Sequence, residues 1–119
     1  MRQFFFSAAI TCLFAVVGCH SPYVSATVSN QTAQRIELIE VDYPSAGFGT
    51  QDLAPGSDYQ YRFKVLGTGN MKLLYTDSAH QSHTSNGPFL EEGAEGSLGI
   101  TITPAGVQWH PGPGVVAHK

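Results

Sequence analysis

The sequence predicts an all-β protein, an antiparallel β-sandwich of seven to nine short strands. Three observations lead to this fold class. Apolar and polar residues alternate with the period of two typical of strands, turns with Gly or Pro recur about every 8–12 residues, and no segment after the apolar N-terminus favours a helix. Many short strands without helices pack as two antiparallel sheets facing each other.

The strands follow from this alternation. In chain order they are predicted at residues 24–29, 35–43, 50–53, 59–65, 71–76, 80–84, 98–102 and 107–109. The clearest is 59–65, whose apolar side chains are predicted to face inward: Tyr59, Tyr61, Phe63 and Val65. By contrast, the segment 80–84 is polar, and we predict that it forms a weak edge strand.

One strand shows an irregular pattern. Ile36 and Leu38 share one face, whereas Ile39, Val41 and Tyr43 share the other, so the phase slips between Leu38 and Ile39. A β-bulge at this point would restore a single buried face. The alternative is a strand that is buried on both sides there.

The connections carry turn residues. Loops are predicted at 30–32, 44–49, 67–70, 91–96 and 104–106. In the turn 54–57, Pro55 and Gly56 stand at the second and third positions, which favours a type II turn. Residues 89–90 are an apolar plug, and the Pro/Gly-rich segment 111–119 is predicted to be a disordered tail.

The N-terminus has the layout of a secretory signal. Arg2 precedes an apolar run from Phe4 to Val17, which is broken only by Ser7 and Thr11. About 14 residues is the length of a signal core, whereas a membrane span needs about 20. We therefore predict that residues 1–18 form a cleavable hydrophobic signal helix.

The segment Val16-Val17-Gly18-Cys19 resembles the lipobox of bacterial type II signal peptides. This resemblance implies cleavage between Gly18 and Cys19, acylation of Cys19 (palmitate among the chains) and membrane anchoring. His20 replaces the Asp that retains enterobacterial lipoproteins in the inner membrane, so the resemblance favours the outer membrane, facing the periplasm. Two alternatives stay open: cleavage at 24–26, which releases a soluble secreted domain, and an uncleaved anchor.

The predicted organisation has four parts: a lipoprotein signal peptide at 1–18, a short tether at 19–23, a β-sandwich domain at 24–110 and the tail at 111–119.

Cys12 lies in the signal and Cys19 is the lipid site, so the mature domain has no cysteine for a disulfide, a redox CxxC centre or a cysteine-ligated zinc site. Its five basic and nine acidic residues give a formal net charge of 5 − 9 = −4. This charge argues against nucleic acid as a partner.

Two segments of the domain resemble bacterial immunoglobulin-like modules. They are Ala26–Thr32, with a V-x-N-x-[ST] pattern, and Asp52–Gly56, with an L-x-P-G turn before an alternating strand. The resemblance covers roughly residues 24–66. It implies an immunoglobulin-like binding or spacer module and carries no catalytic residue.

Few residues suggest chemistry. The candidate metal ligands are His80, His83 and His110, although positions 80 and 83 of a straight strand point to opposite faces. Glu40 and Asp42 share one strand face and are predicted to face water, although they are also calcium candidates. Glu91, Glu92 and Glu95 are predicted to form a solvated loop. A carbohydrate-stacking face is a further option among the aromatic residues Tyr43, Phe48, Tyr59, Tyr61, Phe89 and Trp109.

No nucleophile motif or phosphate-binding loop is present in the sequence, and no cofactor is indicated. We therefore expect a membrane-anchored, non-enzymatic binding or structural module whose partner is another envelope protein. The alternative is a small periplasmic ligand- or metal-binding domain that uses His80 and His83.

Overall fold

A computed structural model describes residues 22–115 and shows an all-β protein. Within this range there are eight strands and no helix, and hence no helix that is long and apolar enough to cross a membrane. The strands are β1 (Val24–Asn30), β2 (Ile36–Tyr43), β3 (Ala46–Leu53), β4 (Asp58–Phe63), β5 (Gly69–Thr76), β6 (Ser82–Leu90), β7 (Gly96–Thr103) and β8 (Gly106–Pro111).

The strands form two four-stranded sheets. Sheet 1 has the order β4-β1-β7-β8 and sheet 2 the order β3-β2-β5-β6. The prediction of purely antiparallel sheets is wrong in one place, because β1 and β7 are parallel neighbours. Successive strands reverse direction, so odd-numbered strands run one way and even-numbered strands the other. The one neighbouring pair with two odd numbers must therefore be parallel.

The core lies between the sheets and confirms the alternation in three strands. Every second residue of β1, β5 and β7 is almost fully buried, and the intervening residues are more exposed. The buried side chains of these strands are Val24, Ala26, Val28, Asn30, Met71, Leu73, Tyr75, Leu98, Ile100 and Ile102. No buried side-chain polar atom in the described residues lacks a hydrogen-bond partner, as is usual for a well-packed core.

The phase slip in β2 is present, one residue earlier than predicted. Ile36, Ile39 and Val41 are buried, whereas Leu38 is 38% exposed, so the strand is not buried on both sides. The pairing runs from Ile36↔Leu53 to Leu38↔Gln51 with equal numbers of residues on both strands. A two-against-one bulge is therefore absent here. The slip occurs in both strands at once and coincides with the positive φ of 55° at Asp52.

The predicted loop 44–49 is wrong. Tyr43 pairs with Ala46, so β2 and β3 form a hairpin with a two-residue turn. The strand pattern was hidden by Gly47 and Gly49, which occupy the outward positions on either side of buried Phe48. At Gly49 a Cβ atom would lie 2.4 Å from the carbonyl oxygen of Ile39, so this close approach of two strands requires glycine.

On one side of the sandwich the sheets end at β4 and β3, and aromatic rings fill the space between these edges. Phe48 of β3 stacks on Tyr61 of β4, with ring centroids 4.5 Å apart, and Tyr43 stacks on Phe63 at 4.1 Å. Tyr61 was predicted to face inward, yet it is 39% exposed, because it lies at the open rim of this aromatic cluster.

On the other side the sheets end at β6 and β8. The predicted edge strand at 80–84 is found as β6, but it begins at Ser82 and continues to Leu90, through the predicted apolar plug. Trp109 of β8 reaches across to β6, where its Nε1 donates a hydrogen bond to Ser85 Oγ at 3.0 Å and its indole covers Gly87. This contact closes the second open side of the sandwich.

The two segments that resemble immunoglobulin-like modules meet at Asn30, a fully buried polar residue. Its side-chain Nδ2 donates to the carbonyl oxygens of Gln34 and Leu53, both at 2.9 Å, and its Oδ1 accepts from the backbone N and the Oγ1 of Thr32. Its backbone oxygen accepts from the N–H of Gly56 at 2.8 Å. Asn30 thus connects the loop after β1 to the turn 54–57.

That turn is confirmed as predicted. Gly56 has a φ of 77°, the left-handed value of the third residue in a type II turn, and the Ser57 N–H donates to the Ala54 oxygen.

Residues 111–115 fold back onto sheet 1. Gly112 N–H donates to the oxygen of Ser97 at 2.8 Å, and Val115 is buried. The first part of the predicted tail is therefore ordered against the domain, and residues 116–119 lie outside the described residues. The predicted signal and Cys19 also lie outside them.

Candidate functional site

Alternating strand directions give the sandwich two distinct ends. The loops after β1, β3, β5 and β7 lie together at one end, which we call the distal end. The start of β1 and the loops after β2, β4 and β6 lie at the opposite, proximal end. The candidate histidines of the β5–β6 hairpin are therefore at the distal end, opposite the start of β1.

A cleft of about 310 Å³ opens at the distal end. Its lining includes Arg35, Ile36, Tyr75, Asp77 and His83. The volume is near the lower limit for a small-molecule site, and the lining combines an aromatic surface with charges of both signs.

Asp77 organises the hairpin loop beside this cleft. Its Oδ1 accepts hydrogen bonds from the backbone N–H groups of Ala79 and Gln81, and its Oδ2 lies 2.7 Å from His83 Nε2. The hydrogen bond with His83, followed by that with Gln81, holds the pKa of the Asp77 carboxyl below its usual range. Through these three contacts, Asp77 stabilises the conformation of the β5–β6 loop. This role of Asp77 was not predicted from the sequence, although an Asp at the start of a loop is a common turn signal.

The lowered pKa predicts an acid-dependent stability. Because the native pKa lies below the usual 3.8, ionised Asp77 stabilises the fold above that pH, and the contribution is lost as the pH falls through the native pKa. We expect Asp77→Asn to unfold at lower urea than the wild type at pH 6, and this difference to shrink below pH of about 4. Urea midpoints between pH 6 and 2.5 measure it. A difference that is constant with pH would show that the ionisation of Asp77 has no part in it.

The three candidate histidines have separate surroundings. His80 is in the loop and not on a strand, with a positive φ of 65°, and its Nδ1 lies 3.0 Å from Glu37 Oε1. His83 is the second residue of β6 and stacks on the Tyr75 ring, with centroids 4.6 Å apart. His110 pairs with Gly99 in sheet 1. Among residues 22–115 no group of three or more His, Cys, Asp or Glu side chains is placed to hold a metal ion.

The chemistry of the cleft is that of hydrogen bonding and stacking. Burial, and to a lesser degree the charge of Asp77, raises the pKa of Tyr75, so its hydroxyl keeps its proton at neutral pH. The His83 ring is fixed between Tyr75 and Asp77 and remains partly exposed. It therefore presents an oriented imidazole to a ligand in the cleft.

The acidic candidates lie outside the cleft. Glu40 and Asp42 are exposed on the outer face of sheet 2, opposite the buried Ile39 and Val41, as predicted. Glu91 and Glu92 are exposed in the loop between β6 and β7, at the proximal end.

The aromatic candidates do not form a single face. Tyr61 lies at the rim between β3 and β4, whereas Phe89 is on β6, at the opposite side of the sandwich. Phe48 is buried, and Tyr43, Tyr59 and Trp109 pack against the core.

A groove that was not predicted from the sequence lies on the outer face of sheet 2 and has a volume of about 740 Å³. We call it the glycine groove, because Gly47 and Gly49 of β3 leave its floor without side chains; its outward-facing lining residues are Leu38, Glu40, Asp42, Gly47, Gly49 and Gln51. The sequence does contain a pattern that could predict this strand, because Gly47 and Gly49 alternate with Phe48 and Thr50. Glycines at alternate positions were instead interpreted as a loop.

Comparisons with known proteins bear on the fold. No protein-family model matches the chain, and no curated protein matches it. One solved structure that is similar is an NMR structure of a protein from Eubacterium rectale, with a TM-score of 0.57 and 16% sequence identity. The similarity covers 74% of this chain and 86% of that one. At this identity the likeness supports the fold alone.

Proposed function

We propose that this protein is a lipid-anchored, non-enzymatic module of the bacterial cell envelope that binds another envelope protein. Its anchor is lipid on Cys19, its domain an immunoglobulin-like sandwich, and its place the outer membrane, facing the periplasm. The immunoglobulin-like assignment is a prediction that depends on the two segments joined at Asn30.

The observation that carries the proposal is the position of β1. This strand begins at Val24 and lies in the centre of sheet 1, between β4 and β7. Cleavage at 24–26 would remove Val24 and Ala26 from the core, whereas cleavage before Cys19 leaves the whole strand intact. The lipobox therefore agrees with the fold better than the alternative cleavage site does.

The anchor also determines how the domain is presented. Five residue steps lead from Cys19 to Val24, the first residue of β1, so the lipid attaches at the proximal end through a tether of about 17 Å when fully extended. The distal cleft faces away from the membrane, while the glycine groove lies along the side of the domain.

Cys19→Ser tests the proposal. We expect the wild type to incorporate labelled palmitate and to stay in the membrane fraction, because two or more acyl chains anchor stably, and the variant to lose both properties. Cys12→Ser is the matched control, since it makes the same chemical change inside the apolar run and should keep both. A Cys19→Ser protein that is still labelled and firmly held in the membrane would contradict the proposal.

Crosslinking in intact envelopes tests the binding role. A partner that is recovered in stoichiometric amounts with the wild type, and identified by mass spectrometry, would establish an interaction module. The second candidate is a small-ligand domain that uses the distal cleft, and the oriented His83 imidazole favours it. Repeated absence of a protein partner, together with a small molecule that shifts the His83 resonances, would support this candidate instead.

A further inference from the structure

The four edge strands of the sandwich differ in how well they are protected against pairing with another chain. Charged side chains and proline on an edge strand oppose such pairing. Asp58 and Arg62 lie on β4, Pro88 lies in β6, and Pro111 ends β8. In β3 the one charged residue, Asp52, lies near the end of the strand, and the six residues from Ala46 to Gln51 carry neither charge nor proline.

The free side of β3 is also available for hydrogen bonding. Residues 46–51 pair with β2 on one side, and no other backbone hydrogen bond joins them to the rest of the described chain. An unpaired row of N–H and C=O groups is a template for an added strand. The six residues are long enough for a typical strand.

The glycine groove beside this edge selects the chemistry of a partner. Gly47 pairs with Asp42 and Gly49 with Glu40, so on the outer face each carboxylate of β2 lies opposite a glycine of β3, which has no side chain. The carboxylate of Asp42 lies over Gly47, where its Oδ1 is 2.7 Å from the position of a Cβ atom. The groove lining has two carboxylates and no basic side chain; Lys72 of β5 pairs with Asp42 on the side of β2 away from the groove. The mature domain carries a net charge of 5 − 9 = −4.

We propose that the free edge of β3 binds an extended, basic segment of a partner protein as a fifth strand of sheet 2. The inference rests on the proposed binding function and names the surface that carries it. Successive side chains of an added strand point to opposite faces. Lysine or arginine at every second position reaches Glu40 and Asp42, and the apolar residues between them face Tyr61 at the rim of the aromatic cluster.

A model peptide tests the surface directly. The probe is a capped hexapeptide of alternating Lys and Val, added to the ¹⁵N-labelled full-length protein in a neutral detergent. We expect amide shifts at residues 46–51 and slower hydrogen exchange of the β3 amides, because new main-chain hydrogen bonds protect them. The same peptide with Glu in place of Lys should bind at least fivefold more weakly, as should one N-methylated at alternate residues, which cannot complete the ladder.

Two matched double variants distinguish the effect of the carboxylates in the glycine groove from the effect of the overall negative charge of the domain. Glu40→Gln/Asp42→Asn removes two negative charges from the groove and should weaken the Lys peptide about five- to tenfold, since each exposed ion pair contributes modestly. Glu91→Gln/Glu92→Gln removes the same charge at the proximal end, and the affinity should stay within about twofold. All four carboxylates are exposed, so both variants should fold.

Three results would overturn the inference: no shifts at 46–51 with millimolar peptide, equal binding of the N-methylated peptide, or equal weakening by the two double variants. If crosslinking still captures an envelope protein at another surface, the proposed function stands and this inference fails. If the Lys peptide binds β3 but Cys19→Ser leaves lipid labelling and membrane retention unchanged, the β3 binding surface is supported and the lipid anchor on Cys19 is contradicted.

Discussion

Asn30→Ala is expected to lower the free energy of unfolding by about 3–5 kcal/mol. The substitution removes the donor to the buried carbonyl oxygens of Gln34 and Leu53 and the acceptor of the Thr32 N–H and hydroxyl. Each buried group left without a partner costs about 1–3 kcal/mol. Chemical denaturation, monitored by tryptophan fluorescence, measures the change.

Two further variants define the cause. Asn30→Asp keeps the shape but cannot donate to either carbonyl, so it should be at least as destabilising at neutral pH. Asn86→Ala removes an exposed amide from β6 and should change stability by less than about 0.5 kcal/mol. A loss below about 1 kcal/mol for Asn30→Ala would mean that water or a rearranged loop replaces these hydrogen bonds.

Trp109→Ala is expected to lower the free energy of unfolding by about 2–4 kcal/mol. This value is below that of a fully buried tryptophan because the residue is partly exposed. Trp109→Phe should recover most of the packing and lose only the hydrogen bond to Ser85, worth about 1 kcal/mol. Denaturation followed by far-ultraviolet circular dichroism compares these variants, because the chain has a single tryptophan.

The same contact can be broken from the other side. A Cβ atom at Gly87 would lie 2.6–2.8 Å from three carbon atoms of the Trp109 ring, so Gly87→Ala must displace the indole. We expect a loss of about 2 kcal/mol in the wild type and almost none in the Trp109→Ala background. Additive effects in this double-mutant cycle would contradict a direct contact and place the cost in the β6 backbone.

The parts of the fold that could be predicted from sequence are those in which the preferences of a few neighbouring residues determine the local structure. Leu98, Ile100 and Ile102 alternate with small residues, and a strand with one buried face is the structure that this pattern favours. Pro55-Gly56 gave the type II turn for the same reason, because both residues prefer the required φ values.

The missed features depend on contacts between distant segments. Gly47 and Gly49 weaken any local strand signal, and only the close approach of the Ile39 carbonyl shows why glycine is needed. Asn30 was assigned to a turn, since its role depends on Leu53 and Gly56 being adjacent to it in space. His80 and His83 were predicted to lie on one straight strand. In the structure Asp77 shapes a loop there, and His80 contacts Glu37 whereas His83 contacts Asp77.

The parallel pairing of β1 with β7 also determines when the protein can fold. Val24 pairs with Gly96, which follows it by 96 − 24 = 72 residues, and β1 lies in the middle of its sheet. Contacts between such distant residues form slowly, because a long loop must close before they contribute stability. Sheet 1 is therefore complete only after β7, the last but one of the eight described strands, has been made, whereas the β2–β3 and β5–β6 hairpins of sheet 2 can form earlier.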